Sequence, residues 1–354
     1  MTLKTRPSRR LLIKGAGAFA IGVLLQPLRT VGVQAAPFAS AMMETRRALF
    51  DAYRETLKRL IRQSRLPIID VEHHWGNKIP IAELIEKMDR NDVALTWLGA
   101  NENNGSQSSI DVCALFPDRL VPTTIHGDGR RWHGKDLSIV QELDAEVRSG
   151  QYFAMGEFEA RHYVSSTNNR DIHMPVDSES FHGVFKVAEA TGIPFLLHHE
   201  AEDALLPELE TMLSAYPRAN VVWCHVGRNR TPQTWTQFPT AEGVRRFIQT
   251  YPNLHFDVLQ SGPMSVFPPT QALESVLYDG SRSATLKSDW LQLFNTFPDR
   301  FLIGSDINTG RWSNYDQVMN RFRTSVLRVV SSQAAEKIAF KNAWRLMSGE
   351  EWRL

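Results

Sequence analysis

The sequence predicts an α/β fold, a (β/α)8 TIM barrel over residues 67–354 of a 354-residue chain. Three observations predict it. Eight short, nearly continuous apolar runs recur after residue 66, as strands buried on both faces of a parallel sheet do. Helical patterns separate them, so strand and helix alternate throughout. Titratable residues collect at the C-terminal ends of the runs, where barrel strands converge on one active-site face.

Residues 1–36 stand outside this fold. Ser8 to Lys14, "SRRLLIK", is a twin-arginine pattern, and "GAGAFAIGVLL" after it is too short and Gly-rich for a stable membrane span. A small-residue site, "VQAA", follows. The expectation is a twin-arginine signal cleaved near Ala35 or Ala36, which places the protein in the periplasm or outside the cell with no membrane span left. Such export serves proteins that fold before crossing, often with a cofactor already loaded. An uncleaved anchor is the alternative; no cysteine lies near the site, which argues against a lipoprotein. Residues 37–66 read as an N-terminal helical extension, because Leu49, Tyr53, Leu57 and Leu60 recur at helical spacing.

The predicted strands are "PIIDVEHH" (67–74), "VALTWLG" (93–99), "LVPTTIHG" (120–127), "YFAMGEFE" (152–159), "IPFLLHH" (193–199), "VVWCHVG" (221–227), "LHFDVLQSG" (254–262) and "FLIGSDI" (301–307). Patterns such as "IAELIEKMDRND" and "AEGVRRFIQTYPN" supply the helices between them. An open doubly wound sheet is the competing architecture, but no Gly-rich phosphate loop follows the first strand.

A formal net charge of +1 gives no reason to expect nucleic acid or an anionic membrane surface as partner. The expected partner is a small-molecule substrate, and a homo-oligomer is left open. The two cysteines, Cys113 and Cys224, make no disulfide framework.

Glu72 and His74 end the first run, Glu157 the fourth, His198 and His199 the fifth, His225 the sixth and Asp306 the eighth. Spaced two apart on a strand, Glu72 and His74 point the same way, into the barrel, while Asp70 and His73 turn away or sit at the rim. His225 and Asp306 converge on them from other strands. Nitrogen and carboxylate donors of this kind suit Zn2+, Mn2+ or Fe2+. His199 competes with His198, and parity does not separate them because both faces of such a strand are buried.

In these stretches the chain resembles the amidohydrolase superfamily, within it the amidohydrolase-related group that includes aminocarboxymuconate-semialdehyde decarboxylase and the resorcylate decarboxylases. "IIDVEHHW" resembles the group's D-x-H-x-H strand, and "IPFLLHH" a strand whose His lies four residues after a Pro, which favours His198. "VVWCHVG" is similar to its H-x-G strand, "FPDRFLIGSDI" to its strand ending in G-S-D, and "EKIAFKNAWRLMSG" to its closing helix. The resemblance implies a divalent metal ion held by His74, His198 and Asp306, with His225 a ligand or a polarising group. Asp306 could instead be the base that takes a proton from a water on the metal. "MGEFE" is similar to a strand of the TatD-like deoxyribonucleases, which makes Glu157 a further ligand; the alternative is a structural carboxylate paired with Arg161. Glu72 departs from the commoner pattern by replacing a first His, as in the resorcylate-type enzymes. It hardens the donor set and tilts the ion from Zn2+ toward Mn2+ or Mg2+.

Around this centre, Arg228 and Arg230 are candidates to hold a substrate carboxylate, His126 to contact substrate, and Trp75 to wall the pocket; Trp97 reads as core. His162, His173 and His182 are expected outside the ligand set. The leading functional expectation is an exported metal-dependent hydrolase in which Asp306 is the base and His225 steadies an oxyanion. A non-oxidative decarboxylase of an aromatic or unsaturated carboxylic acid is the second, and a non-catalytic barrel without its metal the third.

Overall fold

The computed structural model describes residues 37–354 except 77, 165–169, 201 and 229–237. The signal expected over residues 1–36 and the candidate Arg230 lie outside the described residues. Nine strands are present: β1 (Ile68–Trp75), β2 (Val93–Ala100), β3 (Leu120–Pro122), β4 (Met155–His162), β5 (Ile172–His173), β6 (Phe195–His199), β7 (Val221–Trp223), β8 (Leu254–Asp257) and β9 (Phe301–Leu302). All pairings between barrel strands are parallel, in the orders β1-β2-β3 and β4-β6-β7-β8-β9.

Single bridges close the ring. Thr123–Ala154 and Gly127–Phe158 join β3 to β4, and Asp70–Ile303 and His73–Ile307 join β9 to β1. The result is the eight-stranded parallel barrel. Every residue of β2 and of β4 is buried, as strands wrapped inside and out require. The two-residue β5, antiparallel to the end of β4, was not foreseen; it is too short to carry a hydrophobic period.

Four strands are less than half as long as their apolar runs. β3, β7, β8 and β9 keep ladder geometry for two to four residues only. In two of these runs the chain then enters left-handed backbone, at His225 and Val226 after β7 and at Asp306 after β9. Those residues are still buried and apolar or inward-facing, so they look like strand in the sequence although they form the turn into the site.

The helix α1 (Pro37–Arg62) packs against the N-terminal side of the barrel. Tyr53 and Leu57 are fully buried, the Tyr53 hydroxyl donates to the Leu120 carbonyl at 3.1 Å, and Phe50 meets Phe153 edge-on. Among the described residues, no helix is long and apolar enough to cross a membrane. At the other end of the chain, buried Asn342 donates to the carbonyls of Pro298 and Phe301 at 2.7 and 2.8 Å. This ties the closing helix Asn342–Ser348 to the start of β9.

Candidate metal centre

β1 does not run as a regular strand. Its register against β2 slips between Asp70 and His73, where three residues oppose the two steps from Thr96 to Leu98. Strict alternation would put Asp70 on the same face as Glu72 and His74. The bulge rotates it out, so Asp70 joins His73, 3.8 Å away, and its Oδ1 accepts from Ser305 N at 2.8 Å. Glu72 and His74 are left facing the barrel mouth.

β4 carries a second irregularity. Gly156 has φ +69, and a Cβ there would stand 2.5 Å from the Phe158 ring, so only glycine fits. Glu157 follows it and reaches the centre of the site. One carboxylate oxygen lies 2.7 Å from His198 Nδ1, and the other 3.2 Å from His74 Nε2.

After β7, His225 and Val226 have φ of 60 and 55. A β-branched residue in this region is strained, and neighbouring bonds hold it there. The His225 N–H donates to Asp257 Oδ2 at 2.8 Å and its carbonyl accepts from Gln260 at 2.7 Å. The turn aims His225 Nε2 at three carboxylates, those of Glu72, Glu157 and Asp306, each 3.6–3.7 Å away. Asp306 is placed similarly after β9: it has φ 48, and its N–H donates to the Glu72 carbonyl at 2.8 Å. Its Oδ1 lies 3.1 Å from His74 Nε2, and both its oxygens accept from Arg311.

Glu72, His74, Glu157 and Asp306 thus form one group whose donor atoms lie within 4.8 Å of one another, and Glu157, His198 and His225 form a second. Glu157 belongs to both. Glu72 has both carboxylate oxygens buried without a hydrogen bond, as are both ring nitrogens of His225. Buried donors that converge on one point suit ligands of a cation, and oxygen–nitrogen donors of this mix suit a divalent ion.

The charges are strongly coupled. Burial pushes the Glu72 carboxyl well up, and Asp257, Glu157 and Asp306 add repulsion. Burial has the same effect on Glu157 and Asp306, but it is outweighed: His198 holds Glu157 well below the usual carboxylate range, and Arg311 does so for Asp306. Burial works against a charged His74 or His198, yet the carboxylates of Asp306 and Glu157 raise His74 to about 10, and Glu157 raises His198 to about 9.

A cavity of about 430 Å³ opens over the centre, lined among others by His74, Trp75, Glu157, His198, Arg228, Asp306 and Arg311. Trp75 and Arg228 therefore lie on its wall, Arg228 donating to Ser261 at 2.8 Å. His126 does not. It is buried behind His74, ring stacked on ring at 4.0 Å, and its Nδ1 accepts from Glu157 N. The expected reach of His126 to a substrate is corrected to support of His74. Arg161 pairs with Asp171 and Glu202 rather than with Glu157. His198 points into the site, whereas His199 lies against Trp223, its ring nitrogens buried and unpartnered and its pKa lowered to about 3 by burial. His162 is nearer than expected: it lines the cavity and stacks on His198 at 4.9 Å. Trp97 is core.

Sequence reasoning missed Arg311 and Asp257. Asp257 lies in the middle of the predicted run 254–262, and only the observed end of β8 at Asp257 places it at a strand terminus like the other carboxylates. Arg311 lies in a loop five residues beyond Asp306, where no periodicity marks it.

Residues 136–347 match the amidohydrolase family model (Amidohydro_2), so the chain belongs to that family. Among solved structures, a Staphylococcus aureus protein assigned as an amidohydrolase aligns at TM-score 0.50 and 13% identity over 79% of this chain and 99% of its own, which shows the shared fold. A 2,6-dihydroxybenzoate decarboxylase from Rhizobium aligns at TM-score 0.48 and 13% identity, over 79% and 98% of the two chains. A protein from Acinetobacter baumannii assigned as a 2-pyrone-4,6-dicarboxylic acid hydrolase aligns at 0.46 and 16%, with the same coverage. No curated protein sequence matches.

Proposed function

We propose that this protein is a metal-dependent hydrolase of a small organic substrate, built around two cation positions that share Glu157. The observation that carries the reading is the divided carboxylate of Glu157, with one oxygen toward His198 and the other toward His74. Glu72, His74 and Asp306 would hold one divalent ion, Zn2+ or Mn2+, and His198 and His225 the other. Such ions would supply Lewis acidity toward a water and a substrate oxygen.

The chain's own groups do the rest. Asp306 accepts the water's proton at a carboxylate oxygen, and Arg311 keeps that carboxylate ionised until it does. His225, with Nδ1 3.7 Å from Asp257 behind it, faces the position where negative charge develops. Arg228 offers a guanidinium to a substrate carboxylate, and Trp75 an apolar wall. The twin-arginine pattern at Ser8 to Lys14 supports export of the folded, loaded protein; fusing residues 1–36 to a reporter and dissecting its transport tests that part separately.

Glu72 favours a second reading, non-oxidative decarboxylation of an aromatic or unsaturated acid, because a single hard, anionic position would suffice for it. Metal analysis with two assays separates the two. About two equivalents per chain, with hydrolysis of a lactone, ester or amide lost in Glu157→Gln, supports the hydrolase. One equivalent, with CO2 released from a hydroxybenzoate and no hydrolysis, overturns it.

A further inference from the structure

The barrel has a second cavity, of about 700 Å³, at the end opposite the metal centre. Its wall is made by the segments that lead into β6, β7, β8 and β9, by the closing helix, and by α1. Three guanidinium groups line it: Arg46 from α1, Arg300 at the start of β9, and Arg345 from the closing helix. The fourth polar group that matters is His255, on β8. Its side chain shares strand parity with Asp257, two residues nearer the active face, and so belongs to the inner layer of the barrel.

These cations are poorly balanced. Among the described residues, Arg46 and Arg300 have no carboxylate partner, and Arg345 has only the exposed Glu351 at 3.6 Å. Asp299, the one acid on the wall, is engaged by Lys337 at 2.7 Å. Each arginine gives a terminal nitrogen to main-chain carbonyls: Arg46 to Gly150 and Tyr152, Arg300 to Pro252, Arg345 to Asp299. Those bonds fix the three forks in place, and no hydrogen bond among the described residues uses their remaining nitrogens. His255 is 3% exposed and its Nδ1 has no hydrogen-bond partner.

We propose that this floor cavity binds a multivalent oxyanion, a phosphate or a polycarboxylate, held by Arg46, Arg300 and Arg345 with His255 as an additional hydrogen-bonding group. Clustered guanidiniums prefer planar, bidentate oxyanions over chloride. Like charges gathered in a half-buried cavity cost free energy unless an anion compensates them, and here burial already lowers Arg46 and Arg300. Burial, with Arg300 and Arg345 adding repulsion, depresses His255 to about 3, so its ring is neutral and keeps both a donor and an acceptor. Because Arg46 belongs to α1, the anion pins the N-terminal helix to the barrel floor. The site is independent of the metal centre and of the reaction proposed for it.

The test is calorimetric titration of the metal-loaded protein with inorganic phosphate and, separately, with citrate, against sodium chloride at matched ionic strength. The expected result is one equivalent bound with a Kd below about 1 mM, retained in Glu157→Gln, which removes the metal-site alternative. Arg300→Gln and Arg345→Gln should each weaken binding about tenfold or more, the loss of one charge-assisted contact, with metal content and turnover unchanged. Phosphate preferred over citrate identifies a compact anion; the reverse identifies an organic polyacid. Should either Gln variant fail to fold, Arg46→Gln and Arg345→Lys are read instead, and each should still weaken binding. Absence of a saturable heat for both anions at about 10 mM, binding lost in Glu157→Gln but kept in the arginine variants, or binding unchanged in folded arginine variants each overturns the proposal.

Discussion

Arg311 clasps Asp306 through both carboxylate oxygens, one of them at 2.6 Å, within the group that also contains Glu72, His74 and Glu157. The guanidinium therefore stands where a cation ligated by Asp306 would compete with it. Arg311→Ala should bind Zn2+ or Mn2+ about tenfold more tightly or better, because a positive charge next to the ion has been removed. The same variant without metal should melt at a lower temperature, since three neighbouring carboxylates lose their fixed counter-charge. A chelator-competition titration and a melting curve with EDTA measure the two effects. Weaker metal binding in Arg311→Ala would mean that Arg311 supports the ion rather than competes with it.

Metal uptake should release protons. Without metal, Asp306 and Glu157 hold His74 at about 10, and Glu157 holds His198 at about 9, in both cases against the effect of burial. These pKa values lie above the unfolded value of about 6.5. The charged rings therefore stabilise the metal-free fold fully below about pH 6.5, and that contribution is lost as pH rises through 9 and 10. An ion needs both rings neutral, so affinity should rise with pH over the same window, with about two protons released per chain from the rings and a further one wherever Glu72 is still protonated. Calorimetry in buffers of different ionisation enthalpy counts them. A pH-independent affinity between 6.5 and 9 contradicts the arrangement of these pairs.

Asp257 supports His225 from behind. It takes the His225 N–H at 2.8 Å and stands 3.7 Å from Nδ1 of the same ring, so Asp257→Asn keeps the shape but removes the charge behind His225. Partners of this kind are worth about 10–100-fold in metal affinity or activity. The loss should appear in kcat with KM little changed, because the carboxylate does not line the cavity. A change confined to KM would place Asp257 in substrate binding instead.

The barrel could be read from the sequence because it depends on what sequence displays well: apolar runs of strand length and the position of charged residues at their ends. The same logic brings Glu72, His74, Glu157, His198, His225 and Asp306 to one end of the barrel. Three things escaped it. The bulge in β1 is a register event: Asp70 is expected with His73, but alternation alone would group it with Glu72 and His74, and the bulge is what turns it away. The left-handed turns at His225 and Asp306 are set by bonds from distant Asp257 and Glu72, so the chain continues to look like strand. Arg311 lies in a loop and the floor arginines on two helices and a strand entry, where an arginine in the sequence is indistinguishable from a solvated one.

Gly99 tests how rigidly the centre is supported. A Cβ at this position would stand 2.3 Å from His126 Nε2 and 2.8 Å from Thr123 Oγ1, so Gly99→Ala must displace the His126 ring. That ring is stacked on His74 at 4.0 Å and bonded to the Glu157 N–H at 2.7 Å. Its movement disturbs two residues of the metal centre without changing any ligand. Overpacking of this kind costs about 1–3 kcal/mol, which a protein of this size should survive folded. The expected outcome is a folded variant with a lower melting temperature, weaker metal binding, and a fall in turnover larger than its stability loss explains. Thr123→Ser in the Gly99→Ala background removes a methyl group but leaves the clash with His126, so it should not restore turnover; His126→Ala in that background relieves the clash and should recover the melting temperature while leaving turnover low. Recovery of both would show that His126 merely fills space beside His74.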